Sequence, residues 1–227
     1  MSAEMESISI TVCGDGGTGK SSISLRLVRS KWTEEYDPTV QDSYSVTRVV
    51  DGRTYHLNLT DTAGQEEYRG LWAQQNLDSD AYLLVYDITN KDSLAALEYF
   101  NDLVEMQADT RPPGAVPHVK IVAGNKCDLA ENRQVKSAEG MAWARANGCG
   151  FMETSARNVV NIEETFMLLV RRVVEARESV KNGKQLQSPY GHEQAPSHPK
   201  VETSHMDDYD DDDAGGGAAK AGCCSIM

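Results

Sequence analysis

The sequence predicts a three-layer α/β fold, in which a six-stranded, mostly parallel sheet with one antiparallel edge strand carries helices on both faces. Two near-continuous apolar runs, at 81–87 and 119–124, are typical of strands buried on both faces of a parallel sheet. Segments with helical periodicity alternate with these strands, which favours parallel pairing. A strand pair joined by Asp51-Gly52, a dipeptide typical of hairpin turns, predicts the antiparallel edge.

The first half of the chain begins with a strand in which Ile8, Ile10 and Val12 alternate with polar residues. A glycine-rich loop follows, and the next helix is expected to start near Lys20. The hairpin spans 43–61, and its second strand ends in an acidic residue.

The second half of the chain contains a predicted helix at 91–108 and a proline-broken loop at 111–117. A short strand is predicted at 150–154. The last helix is expected to start at Asn161, because Glu164 three residues later completes a capping-box pattern. The remaining helix, at 137–147, is expected to place on its inner side Met141, Ala142 and Trp143.

Polyphosphate binding is indicated by the loop after the first strand, which reads G-x-x-x-x-G-K-S. Backbone N–H groups can wrap a polyphosphate only where side chains do not block the approach, so glycines dominate the loop. Lys20 can place its charge against the β- and γ-phosphates, and Ser21 can offer a hydroxyl to Mg²⁺. The loop alone does not distinguish ATP from GTP. The predicted phosphate-binding residues are Gly14, Asp15, Gly16, Gly17, Thr18, Gly19, Lys20, Ser21 and Ser22.

A second polar group follows the inner strand of the hairpin. Asp61 ends that strand and can hold Mg²⁺, directly or through water, opposite the Ser21 hydroxyl. Gly64 can present a backbone N–H to a γ-phosphate, and Gln65 can orient a water molecule with its amide. The alternative is an ordinary strand-ending aspartate, and the presence of Gly64 and Gln65 favours the metal site.

An N-K-x-D cluster after a buried strand predicts recognition of guanine. Guanine presents a ring N–H and an exocyclic amine side by side, and the Asp128 carboxylate can accept both, whereas adenine would leave it unpaired. Asn125 can bond the base and tie neighbouring loops, and Lys126 can lay its stem along the base plane. A small residue after the last strand can offer a backbone N–H to the guanine carbonyl oxygen. The predicted base-binding residues are Asn125, Lys126, Asp128, Ser155, Ala156 and Arg157.

These segments all follow predicted strands, and open α/β sheets bind ligands outside the carboxyl ends of their strands. In combination the motifs resemble those of the Ras family of small GTPases, over about residues 6–178. They are GDGGTGKS at 14–21, YDPTVQDSY at 36–44, DTAGQEEY at 61–68, NKCD at 125–128 and TSAR at 154–157. The resemblance implies the G-domain fold of P-loop NTPases, GTP and GDP as ligands, Mg²⁺ as cofactor, and slow GTP hydrolysis by a molecular switch.

The resemblance also assigns roles to individual residues. Thr39 is implied to reach Mg²⁺ and the γ-phosphate only in the GTP state. Trp32 lies where the family places an aromatic ring against guanine, and Tyr36 and Pro38 also belong to the implied nucleotide site. The implied catalytic residues are Gln65, Lys20 and Gly16. The implied metal ligands are Ser21, Thr39 and Asp61.

Partners follow from the same resemblance: an exchange factor, an activating protein that supplies an arginine in trans, and effectors with Ras-binding domains. Gln41 stands where Ras usually has Glu, which bears on partner choice. The run 69–75 also departs from the family pattern, which bears on regulator contacts. The loop at 111–117 is longer than in typical members, which we interpret as a tolerated surface insertion. The protein is expected to be a monomer in solution. The implied effector loop contains Tyr36, Asp37, Pro38, Thr39, Val40, Gln41, Asp42, Ser43 and Tyr44.

The sequence divides into a predicted globular domain, 1–180, and an acidic tail, 181–227, whose composition predicts disorder. The chain ends in a C-a-a-X pattern, which predicts that a prenyltransferase attaches a farnesyl group to Cys224. One lipid anchors only weakly, so Cys223 is the candidate for palmitoylation. The expected location is the cytoplasmic face of the plasma membrane, with endomembranes as a second site.

Charge argues against a nucleic-acid partner. The formal net charge is −13, and both predicted segments are acidic, so each repels polyanions on average. Two other functions stay open at this point: a nucleotide-locked interaction scaffold that hardly hydrolyses, and a P-loop phosphotransferase acting on a small substrate. The intact Gly16, Thr39 and Gln65 disfavour the scaffold, and the N-K-C-D cluster disfavours the phosphotransferase.

Overall fold

A computed structural model describes residues 6–29, 41–62 and 78–183 and confirms the predicted α/β sheet. Five strands run parallel, and the edge strand β2 pairs antiparallel with β3. The order across the sheet is β2-β3-β1-β4-β5-β6. The strands are β1 (Glu6–Cys13), β2 (Gln41–Val50), β3 (Arg53–Thr62), β4 (Ala81–Asp87), β5 (Val119–Asn125) and β6 (Gly150–Glu153).

Five helices lie in the described part of the chain. The helix predicted at 91–108 is divided at Ala96, which keeps right-handed backbone angles (φ −63°, ψ −20°), so the apolar stripe continues across the break. None of the described helices is long and apolar enough to cross a membrane. The helices are α1 (Lys20–Arg29), α2 (Lys91–Ala95), α3 (Leu97–Asp109), α4 (Ser137–Ala146) and α5 (Ile162–Lys181), and a 3₁₀ helix covers Cys127–Asn132.

Strand β4 divides the core into two layers, because every one of its residues is buried. Ala81, Leu83 and Val85 point to the face that packs against α1 and α5, whereas Tyr82 and Leu84 point to the face covered by α3 and α4. This alternation is what a near-continuous apolar strand requires, and it confirms that helices cover both faces of the sheet.

The predicted hairpin turn is also confirmed. Asp51 and Gly52 both have positive φ angles, 48° and 78°, as primed hairpin turns require. The Arg171 guanidinium of α5 donates two hydrogen bonds of 2.8 Å to the Asp51 carboxylate, which ties the turn to the last helix.

The predicted inner side of α4 is wrong for Met141 and Ala142, whereas Trp143 packs against the core as predicted. Met141 and Ala142 are exposed and Trp143 is half-buried, whereas Gly140 and Ala144 are buried. A Cβ atom at Gly140 would lie 2.2 Å from the Tyr86 hydroxyl oxygen, so the missing side chain is what lets α4 approach the sheet. Apolar periodicity does not detect a face that is defined by a glycine.

The predicted capping box of α5 is also wrong. Asn161 adopts a left-handed conformation (φ 54°) and makes no side-chain cap. Its amide instead donates to the Glu153 carbonyl oxygen at 2.7 Å, and this bond holds the helix start against the end of β6. The helix packs one apolar stripe into the core, and the most buried members of the stripe are Ile162, Phe166, Leu169, Val170 and Val173.

The loop predicted at 111–117 is confirmed as irregular backbone, and Arg111 braces it. The Arg111 guanidinium donates to the Asp78 carboxylate and to the Val116 carbonyl oxygen. The loop therefore has a defined shape at the end of the sheet opposite the carboxyl edge. The predicted boundary between domain and tail near residue 180 stays a prediction, because residues 184–227 lie outside the described residues.

Candidate functional site

The glycine-rich loop joins the carboxyl end of β1 to the start of α1, as predicted. Gly14 lies so close to β4 that a Cβ atom would stand 2.1 Å from the Val85 carbonyl oxygen. Gly19 has a φ of +93°, and a Cβ atom there would stand 2.4 Å from Nδ2 of Asn125. Both positions therefore require glycine, which keeps the loop backbone near the sheet and its N–H groups accessible to an anion.

Lys20 is held inside the loop. Its side chain is only 6% exposed, and Nζ donates to the Asp15 carbonyl oxygen at 2.8 Å. The Thr18 hydroxyl donates to the same oxygen at 2.9 Å. Burial lowers the pKa of Lys20, and the nearby negative charge of Asp61 opposes that shift. The ammonium group is thus positioned where a polyphosphate would meet it, and an anion would complete its neutralisation.

Asp61 is fully buried at the end of β3, beside the start of α1. Burial raises the pKa of its carboxyl group to about 6, while the Ser21 hydroxyl and the Lys20 ammonium lower it. Among the described residues, no donor reaches hydrogen-bonding geometry with either carboxylate oxygen. A buried carboxylate that is incompletely hydrogen-bonded is costly unless a cation pairs with it. Its carboxylate and the Ser21 hydroxyl are hard oxygen donors, and this set fits Mg²⁺.

Asn125 joins the two halves of the site. Its Nδ2 donates to the Thr18 carbonyl oxygen at 2.9 Å, and its Oδ1 accepts from the Thr154 hydroxyl at 3.2 Å. The side chain is 2% exposed, so both bonds lie away from water. The predicted tie between neighbouring loops is confirmed, and it connects the phosphate loop to the end of β6.

The Asp128 carboxylate is half-buried and held by the loop after β6. The Ser155 hydroxyl donates to its Oδ1 at 2.6 Å, and the Asn158 N–H donates to the Ser155 hydroxyl oxygen at 3.0 Å. The N–H of Cys127 donates to the Thr154 carbonyl oxygen at 3.0 Å, so backbone and side chain both connect the two segments. The carboxylate is thereby oriented while it still has lone pairs for a ligand.

Lys126 is fixed from the other side by a residue that the sequence reading did not assign to the site. Its Nζ lies 2.6 Å from Oδ2 of Asp87, which ends β4 at the same edge of the sheet. The other oxygen of Asp87 accepts from the backbone N–H and the hydroxyl of Thr89, at 2.8 and 2.7 Å. The position of Asp87 at the carboxyl end of a buried strand could have indicated a site residue, but the sequence does not show that its partner is Lys126.

Arg26 was also missed. It lies on α1, is half-buried, and donates from Nε to the Ala156 carbonyl oxygen at 2.8 Å and from Nη2 to the Arg157 carbonyl oxygen at 3.3 Å. Ala156 is 4% exposed, and among the described residues no acceptor takes its N–H. The sequence predicts a backbone donor from a small residue after β6, and the Ala156 N–H fits it, since the Ser155 N–H donates to the Val160 carbonyl oxygen. A single arginine on an amphipathic helix carries no sequence signal for this role.

The structure thus brings the phosphate loop, Asp61, the N-K-C-D segment and the loop after β6 to one edge of the sheet. Of the predicted effector loop, Asp42, Ser43 and Tyr44 are described; they lie on the edge strand β2, where the Tyr44 hydroxyl donates to Asp42 at 3.0 Å. Gln41 begins β2, and its side chain is not described. The predicted residues that lie outside the described residues are Trp32, Tyr36, Asp37, Pro38, Thr39, Val40, Gly64, Gln65, Cys223 and Cys224.

Comparison with known proteins agrees with this site. A model of the Ras family matches residues 9–175 of the 227-residue chain. The chain is also 35% identical over 195 residues to Ras-like protein B of Aspergillus fumigatus, an alignment that covers 77% of this chain and 81% of that protein. The matched range contains the phosphate loop, Asp61, Asp128 and Ala156. The chain therefore belongs to the Ras family and is a GTPase, an enzyme that hydrolyses GTP.

Proposed function

We propose that this GTPase is a membrane-anchored switch whose guanine specificity comes from Asp128 and whose Mg²⁺ ligands include Ser21 and Asp61. The observation that carries the proposal is the Asp128 carboxylate, which Ser155 holds at the same edge of the sheet as the phosphate loop. Membership of a GTPase family supports hydrolysis over the scaffold and phosphotransferase alternatives.

For base recognition, Asp128 accepts the ring N–H and the exocyclic amine of guanine. The N–H of Ala156 donates to the base's carbonyl oxygen, which adenine lacks. Lys126 lays its stem along the base while Asp87 holds its ammonium group. Each of these three contacts is satisfied by guanine, and two of them would be left unpaired by adenine.

For the phosphates, the loop backbone surrounds the anion and Lys20 neutralises part of its charge. Ser21 and Asp61 would hold Mg²⁺, with Thr39 joining them by family resemblance. When bound, the metal would neutralise negative charge on the β- and γ-phosphates. Asp61 is buried, and neither of its carboxylate oxygens has a hydrogen bond of full geometry among the described residues, which supports this assignment.

For hydrolysis, we assign water positioning to Gln65 and phosphate sensing to Thr39 and Gly64, all by family resemblance. Gly16 is exposed at the mouth of the loop, where a side chain would crowd an incoming γ-phosphate or arginine. Loss of the γ-phosphate releases the two sensing loops, and the effectors then dissociate. An exchange factor reloads GTP, and an activating protein supplies an arginine in trans.

For localisation, we propose that Cys224 is farnesylated and Cys223 palmitoylated, which places the protein on the cytoplasmic face of the plasma membrane and on endomembranes. The C-a-a-X sequence at 224–227 supports the first modification. Two lipids are needed because a single chain gives only reversible binding and the tail has no basic cluster. Residues 181–227 act as the tether.

The first test exchanges the base. Asp128→Asn replaces one acceptor by an amide donor, so the side chain can accept the ring N–H of xanthine and donate to its 2-oxo group. We expect the affinity for GDP to fall about 100-fold and that for xanthosine diphosphate to rise, as measured by fluorescent nucleotide titration. Asp102→Asn, an exposed change on α3, is the control and should leave both affinities unchanged. Unchanged GDP binding in Asp128→Asn would contradict the assignment.

The second test concerns the metal. In the native protein, removal of Mg²⁺ with EDTA should accelerate GDP release. In Asp61→Asn this metal effect should shrink about 10-fold, because the amide is a weaker ligand for Mg²⁺ than a carboxylate. Stopped-flow release of a fluorescent GDP measures both rates. Asp109→Asn at the exposed end of α3 is the control. An undiminished EDTA effect in Asp61→Asn would show that the carboxylate does not hold the metal.

The third test concerns the anchor. Cys224→Ser removes the only cysteine at the prenylation position, so the protein should move entirely to the soluble fraction of cells. Cys223→Ser should retain partial membrane association, since one lipid chain would remain. Fractionation followed by immunoblotting measures both. Persistent membrane association of Cys224→Ser would refute the anchor.

A further inference from the structure

Arg26 is a cationic side chain that connects the helix after the phosphate loop to the loop that follows β6. We propose that Arg26 is a positioning residue that sets the rate of guanine nucleotide release, because it fixes the backbone of Ala156 and Arg157 against α1. This inference rests on the proposed function, since it assigns a role within the same base-binding loop. None of the predicted motifs includes Arg26.

The geometry suits arginine. Nε and Nη2 of one planar guanidinium donate to two successive backbone carbonyl oxygens, at 2.8 and 3.3 Å. Charge-assisted bonds of this kind are stronger than neutral ones, and the fork of donors holds two acceptors at once. The bonded residues are 130 and 131 positions apart in the chain, so the contact is wholly tertiary.

The phosphate side of this connection is rigid. Arg26 lies on the same helix as Lys20 and Ser21, and six residues of α-helix place it only about 9 Å along the axis from Lys20. Leu27, the next residue, is 1% exposed and packs in the core, so α1 does not readily move at this point. A displacement of the loop after β6 is therefore coupled through Arg26 to α1, the helix that carries Lys20 and Ser21.

In the loop after β6, Arg26 fixes the backbone at Ala156. Ser155 is held by reciprocal backbone hydrogen bonds with Val160, at 3.1 and 3.0 Å, and by its bond to Asp128. The carbonyl of Ala156 is held by Arg26. The Ala156 N–H lies between these two anchors, so its direction is set by both. Without the guanidinium, the peptide group between Ala156 and Arg157 loses this hydrogen bond, and the Ala156 N–H is no longer fixed from that side.

The experiment compares Arg26→Met and Arg26→Lys with Arg48→Met. Arg48 is a matched control, because its guanidinium also donates to a carbonyl of α1, that of Leu27, and pairs with Glu163, but it does not bond to residues 154–157. The measured quantity is the rate of GDP release. We expect Arg26→Met to release GDP about 10-fold faster, Arg26→Lys to fall between this variant and the native protein, and Arg48→Met to stay within about 2-fold of native.

A further readout separates positioning from a loss of stability. The diphosphate of 2-aminopurine riboside lacks the carbonyl oxygen that the Ala156 N–H would meet, so its release should be almost insensitive to Arg26→Met. Equal acceleration for GDP and for the analogue, or GDP release at the native rate in Arg26→Met, would overturn the inference.

The same measurements distinguish this inference from the proposed function. If native protein prefers GDP to ADP and Asp128→Asn loses that preference while Arg26→Met behaves as native, the positioning role alone fails. If native protein binds GDP and ADP equally, guanine recognition fails and the role of Arg26 fails with it.

Discussion

The side-chain amide of Asn125 is the contact on which the rest of the site depends. One amide has a donor end and an acceptor end, and here the two ends bond segments from opposite sides of the site: the phosphate loop through the Thr18 carbonyl and the end of β6 through the Thr154 hydroxyl. Burial strengthens both bonds and makes their loss costly. The left-handed Gly19 is the counterpart of this contact, since any side chain there would displace the amide.

Near this contact, the site contains two buried charged groups that are only partly paired by other protein groups. Lys20 is buried against a backbone carbonyl, and the buried Asp61 carboxylate has no hydrogen bond of full geometry among the described residues. Such groups reduce the stability of the ligand-free fold, because burial without full pairing disfavours the charged form. A magnesium–nucleotide complex bound as proposed would supply an anion for Lys20 and a cation for Asp61, so that binding would stabilise the fold.

Sequence predicted most of the fold and most of the motif positions, because strand alternation, the Asp51-Gly52 turn and the glycine loop are local signals. In each error, the role of a residue is set by a contact with another segment of the chain, which local sequence patterns do not record. The inner face of α4 is defined by Gly140, which has no side chain to contribute to an apolar pattern, and Asn161 uses its amide to hold β6 instead of capping its own helix. Arg26 and Asp87 could not be assigned because their partners come from distant segments.

The most direct test of the account is hydrogen–deuterium exchange of Asn125→Ala compared with native protein, both loaded with GDP. If the amide holds the two halves of the site as one body, residues 14–20 and 154–157 lose protection together. Protection of β4, whose side chains are buried on both faces, stays at the native level and shows that the fold is intact. Loss of protection confined to one of the two loops, or in neither, would contradict the account.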